Sequence, residues 1–544
     1  LEGRHRAGGK VRSRSNRGCQ MSTLSYKDFV QKVRYYKQST VIQFSSFLGW
    51  LSWENVKELK EMKDFGKELY LYRAHAGRIA AISAATGNED RTKRASIEDI
   101  KMLCHSYLYI TEPLVKDEAF EEMDVLRLEK ALENSEVFKP FRQNKDIVRF
   151  CAGMLTPTRT LQLQHESYEA SDSLHVIARN YALLTRFLEK CEKSFRDQYF
   201  ARLGIEPEYL FMIGLFFISA AQKSRGLIVL DNNFLPPELK SRSGIDFEAI
   251  ELIARRFSRD FKGFREWHDE ALKTNHLLTK YVANPLIESP LIQIEKNKYA
   301  IPSPWFLLEK IKFYFWEPIT RQDELEKLKI VGKVFKEYFE DAIKVICPDL
   351  TLSDLDSLKC LRKTLRADFL LYKDNKCLIV ELKKTFGSYG KMALAEPEEV
   401  VLNWERLTSG IAQCGSTLRH ISDVEKELGL KFDKVATIVC GVEELGSVGA
   451  FYVYCFNSGL LNSLGVEDFE LISIDQLECL LMDVGFDLFF EALFVKQSSE
   501  QGRDVTLRTS IRKMIYKNRK PKSSAEMPWK HLEEFVNKVS YLKN

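Results

Sequence analysis

The stretch 366–391, RADFLLYKDNKCLIVELKKTFGSYGK, constrains this 544-residue chain more than any other. Two apolar runs flank Lys373-Asp374-Asn375-Lys376, a polar tetrapeptide rich in turn-forming Asp and Asn. The segment is therefore expected to fold as a strand, a tight turn and a second strand. Asp368 opens the first run, and after twelve intervening residues Glu381-Leu382-Lys383 ends the second. Side chains alternate faces along a strand, which puts Glu381 and Lys383 together with Leu382 opposed. Pairing across the turn is expected to bring Asp368 alongside them. Two carboxylates and an ammonium converging at a strand end make a divalent-metal site with a built-in base or charge stabiliser.

This A-D-x12-E-L-K pattern resembles the catalytic signature of the PD-(D/E)XK nuclease superfamily, matched at Asp368, Glu381 and Lys383, with Ala367 in place of the proline. The resemblance implies an α/β restriction-endonuclease-like (αβββαβ) domain and covers roughly residues 323–490. In that family the first helix often supplies a further glutamate. Residues 329–346 carry Val331, Phe335, Phe339, Ala342 and Ile346 at helical spacing. Glu340 lies on the flank of that apolar face and is the candidate; Glu337 lies nearly opposite it and is the fallback. Residues 398–421 read as a second helix, striped by Trp404, Leu407, Ile411, Cys414, Leu418 and Ile421. Gln413 sits on its flank, where several branches of the family carry a glutamine. Runs 435–441 and 451–456 read as further strands, 469–474 as a last strand, and 476–482 as a helix.

The resemblance further implies Mg²⁺, replaceable by Mn²⁺, held by Asp368, Glu381 and Glu340. Lys383 would orient or deprotonate water or stabilise the transition state, and Gln413 would hold the substrate strand. The expected function is metal-dependent endonucleolytic hydrolysis of phosphodiester bonds, with DNA as the expected substrate. RNA stays open as a substrate, and a catalytically idle nucleic-acid-binding or scaffold subunit of a defence or toxin-like complex stays open as a role. A small hairpin at 290–302, ahead of the glutamate helix, resembles a layout found in large prokaryotic nucleases, including anti-phage defence effectors.

The net charge is only +4, so local clusters say more about partners than the total does. Lys359, Arg362, Lys363 and Arg366 lead into Asp368, and Lys384 follows Lys383. Between Arg508 and Lys522, Arg512, Lys513, Lys517, Arg519 and Lys520 add to a run without one acidic residue. Each cluster is also what a solvated face looks like; beside a candidate nuclease centre we take them as phosphate contacts.

Apolar residues at 45% and charged residues at 29% describe an ordinary soluble globular protein. Eleven cysteines without a CxxC pair suggest reduced thiols in a cytoplasmic protein. Nine histidines show no zinc-ligand spacing, and there is no GxxxxGK[ST] phosphate loop. The most apolar window, 209–221, reads as a buried helix too short to span a bilayer, so no membrane association is expected. Residues 1–20 are expected to be a cloning scar or disordered basic arm. An all-α region over 21–287 would serve as substrate clamp, regulator, partner-binding surface or homodimer interface, with 227–230 as a possible lone strand. A hairpin and connecting helix at 288–322, the nuclease-like domain at 323–495 and a basic extension at 496–544 complete the expected organisation.

Overall fold

The computed structural model describes residues 24–54, 65–108, 110, 118–139, 147–148, 173–235, 237, 241, 244–274, 284–319, 321–383, 397–442 and 448–498. Residues 1–20, Lys384 and the basic cluster with Arg512, Lys513, Lys517 and Arg519 lie outside them. Helices dominate, and two mixed sheets of four and five strands sit among them.

The five-stranded sheet is built from β5 (Thr351–Asp354), β6 (Phe369–Lys373), β7 (Lys376–Lys383), β8 (Lys434–Gly441) and β9 (Glu470–Ser473), in that spatial order. β6 runs antiparallel to β5 and β7, whereas β7, β8 and β9 are parallel. The tight β6–β7 turn is Asp374-Asn375, with Asp374 in the left-handed region at φ 53°, a conformation that Asp tolerates better than most residues. The parallel step from β7 to β8 needs a crossover, and helix Pro397–Arg419 lies within it.

Alternation divides the sheet between two cores. Phe369, Leu371, Leu378, Val380, Ala436 and Ile438 face helices Arg321–Ile346 and Ile474–Gln497. Leu370, Cys377, Ile379 and Val439 face Trp404, Leu407, Ile411 and Cys414 of Pro397–Arg419. Residues 451–456 are not a strand. They belong to helix Val448–Ser458, which buries Phe451, Tyr454 and Cys455 at three- and four-residue steps against Trp404. A short apolar run rich in aromatics fits either period, and packing decides it.

The N-terminal region is not wholly helical. β1 (Leu227–Val229) and β2 (Ser258–Arg259) flank the hairpin of β3 (Leu291–Glu295) and β4 (Lys298–Ala300), in the order β1-β4-β3-β2. The expected 288–322 unit is therefore joined to the preceding helical region edge to edge, and the boundary at 287 falls inside one sheet. Helix Pro207–Ser224, which holds the most apolar window, buries Leu210, Phe211, Ile213 and Phe217 completely. By length and composition alone, 193–224 could cross a membrane, although Gly204 at φ 68° ends its first helix.

The helical region also wraps the larger sheet. Buried Arg179, on helix Ser173–Lys190, bonds Glu478 at 2.8 Å and Asp475 at 3.3 Å, and the Tyr338 hydroxyl donates to Glu478 at 2.8 Å. On the other face, Leu128, Leu132 and Phe138 join the Trp404 core.

Candidate active site

The β6–β7 hairpin sets the geometry. Phe369 pairs with Val380, and the Asp368 N–H donates to the Val380 carbonyl at 3.1 Å. Continuing that register sets Asp368 beside Glu381 where the hairpin leaves the sheet. Asp368 Oδ2 accepts the Leu382 N–H at 2.9 Å, which holds its carboxylate against the second strand. Lys383 Nζ lies 2.7 Å from Glu381 Oε1 and donates to Gln413 Oε1 at 2.6 Å. Gln413 Nε2 donates onward to the Arg366 carbonyl at 2.9 Å. The structure thus brings together Asp368, Glu381, Lys383 and Gln413. Gln413 thereby bridges Lys383 and the backbone on the approach to Asp368.

Two residues explain how helix Pro397–Arg419 comes so close. A Cβ on Gly410 would lie 2.8 Å from Lys383 Cε and 3.3 Å from Glu381 Cγ, so a larger residue there would make the lysine tip shift. Thr417 Oγ1 accepts the Ala367 N–H at 2.9 Å. A proline at 367, usual in the resembling family, would lack that donor.

Glu381 is only 2% exposed. Burial raises its carboxyl from the ordinary range to about 8; the neighbouring Asp368 carboxylate pushes the same way, and Lys383 opposes both without prevailing. Glu381 Oε2 is buried, with no hydrogen-bond partner found among the described residues while the carboxyl is ionised; protonated, the carboxyl hydrogen-bonds Asp368. Two adjacent carboxylates, one of them buried, fit a hard divalent cation that takes oxygen ligands and retains several waters. Among the described residues, no group of three His, Cys, Asp or Glu side chains is placed to hold an ion. Among the described residues, those that could hold such an ion are Asp368 and Glu381.

Glu340 is not a member of this cluster. It pairs with Lys344 at 2.6 Å and lines a separate surface pocket with Glu337, Lys190 and Arg186. The side chain of this helix that does reach the centre is Lys336, one turn earlier on the same flank. Its Nζ lies 3.7 Å from Asp368 Oδ1, donates to Asp354 and Asp356 at 2.9 and 2.8 Å, and sits 5.1 Å from the Phe369 ring centroid. The reason is axial register: Phe339 stacks on Phe369, directly after Asp368, which carries Glu340 past the hairpin end.

Lys359, Arg362 and Lys363 are exposed on the loop leading to Asp368. Arg366 instead donates to Asp356 Oδ1 through Nε at 2.9 Å and a terminal nitrogen at 2.6 Å, and to the Leu361 carbonyl at 3.1 Å. Lys336 and Gly410 escaped the reading from sequence. Both carried a signal: a lysine four residues before the favoured glutamate, and a glycine inside an amphipathic helix, one of two there with Gly415.

No family model, curated protein or solved structure matches this chain.

Proposed function

We propose that this chain is a metal-dependent nuclease with a restriction-endonuclease-like core, hydrolysing phosphodiester bonds in DNA. The observation that carries the reading is the convergence of Asp368, Glu381 and Lys383, with the Glu381 carboxyl buried between the other two. The order of helix Arg321–Ile346, strands β5 to β7, helix Pro397–Arg419 and β8 supports it, being the αβββαβ order of that core.

When bound by Asp368 and Glu381, Mg²⁺ supplies Lewis acidity and offsets charge developing on the phosphate. The remaining tasks fall to the chain. Lys383 presents an ammonium, fixed between Glu381 and Gln413, that orients the attacking water and stabilises negative charge in the transition state. Gln413 and Gly410 keep that ammonium in place. The exposed Lys359, Arg362 and Lys363 provide contacts to the phosphate backbone that are indifferent to sequence.

Incubation with supercoiled plasmid in Mg²⁺ or Mn²⁺ should give nicked or linear DNA, and EDTA should abolish it. Inertness in both metals towards plasmid, single-stranded DNA and RNA would overturn the reading. Cutting of RNA alone would keep the chemistry and change the substrate.

A further inference from the structure

Beside the candidate centre, two cations share one carboxylate. Asp356 Oδ1 accepts two hydrogen bonds from Arg366, and its Oδ2 accepts one from Lys336 at 2.8 Å. A two-oxygen anion bridging a guanidinium and an ammonium is also the arrangement that the two non-bridging oxygens of a phosphodiester seek. The cations and the carboxylate differ in how firmly they are held. Lys336 is anchored by Asp354 and lies over Phe369; Arg366 is tied to the Leu361 carbonyl. Asp356, by contrast, rides on a three-residue 3₁₀ turn, Leu355–Ser357, and its side chain is 58% exposed. Asp356 is the most exposed member of this network, at 58% against 45% for Asp354, 20% for Lys336 and 27% for Arg366, so it is the member that an incoming anion can replace. The position is also apt, because Lys336 Nζ stands between Asp356 and Asp368, 3.7 Å from the latter.

We propose that Lys336 and Arg366 form a phosphodiester clamp next to the Asp368–Glu381 pair, and that Asp356 occupies it as an internal phosphate mimic until a nucleic-acid strand displaces it. The inference rests on the nucleic-acid part of the function proposed above and names the subsite that seats the strand. It assigns Asp356 a restraining role: every productive binding event exchanges its carboxylate for a backbone phosphate.

The test uses the full chain carrying Lys383→Ala, in EDTA, with a fluorescently labelled DNA duplex followed by anisotropy, so that binding is read without cleavage. Asp356→Asn should tighten binding by about fivefold, whereas Lys336→Gln and Arg366→Gln should each weaken it about tenfold and lower the salt slope by about one. Asp356→Asn added to Lys336→Gln should give little tightening, because the plug acts only on an intact clamp. Inorganic phosphate should compete far less well than the duplex; equal competition would reassign the clamp to free phosphate and overturn the proposal. A purely structural network predicts the opposite pattern, a lowered melting temperature for Asp356→Asn with unchanged or weaker binding, and that result would also overturn it. Failure here beside plasmid cleavage by the unmutated chain would remove the clamp and leave the nuclease standing. Tightening by Asp356→Asn in a chain that cuts nothing would keep the clamp and remove the nuclease.

Discussion

Glu381 bears opposing demands. Its carboxyl, raised to about 8 by burial and by Asp368, is mostly protonated at neutral pH in the metal-free fold, whereas a cation ligand must be ionised. Because the folded value lies above the ordinary one, stability is fully present below about pH 4.5, falls as pH rises towards 8, and stays reduced beyond it. Melting curves in EDTA should therefore show Glu381→Gln gaining on the unmutated protein as pH climbs from 5 to 8, by several kcal/mol at the top. Parallel curves for the two proteins would contradict that cost. Asp368, Glu381 and Lys383 were legible because strand alternation and one short turn determine which residues meet. Lys336 was not, because a helix flank specifies a direction but not which turn along it faces the hairpin; the Phe339–Phe369 stack decides that.

At the scale of elements, the centre depends on how closely helix Pro397–Arg419 approaches β7. Gly410→Ala gains about 1 kcal/mol in helix propensity but forces a Cβ against Lys383 and Val439, an overpacking cost of about 1–3 kcal/mol. Cleavage should fall at least about tenfold through the displaced ammonium, with thermal stability little changed because the two terms oppose each other. Unaltered cleavage by Gly410→Ala would show that the close approach is incidental to chemistry. The amphipathic stripe of this helix could be read directly from Trp404, Leu407, Ile411 and Cys414. The segment 451–456 could not: its apolar residues satisfy both periods, and helix Val448–Ser458 wins by packing Phe451 and Tyr454 onto Trp404.

Across the whole molecule, the helical region and the five-stranded sheet share buried polar contacts as well as apolar ones. Arg179 bonds Glu478, and both are almost wholly buried, so Arg179→Met leaves the Glu478 carboxylate in the core without this countercharge and should cost about 3–5 kcal/mol in urea unfolding. Pairing it with Glu478→Met should recover much of that loss; additive losses would mean that the two do not act as a pair. Such long-range docking leaves no periodic trace, which is why the helical half was legible as helices but not as a wrapping around the sheet. The proposed reaction centre of Asp368, Glu381 and Lys383 keeps a buried carboxyl that costs stability when it ionises. The most direct measurement is plasmid nicking in Mg²⁺ by the unmutated chain, Lys383→Ala and Glu381→Gln, each with its melting temperature. Both variants should lose at least about a thousandfold in rate, while Lys383→Ala stays folded and Glu381→Gln melts higher than the unmutated protein. Nicking at the unmutated rate by either well-folded variant would contradict that proposal.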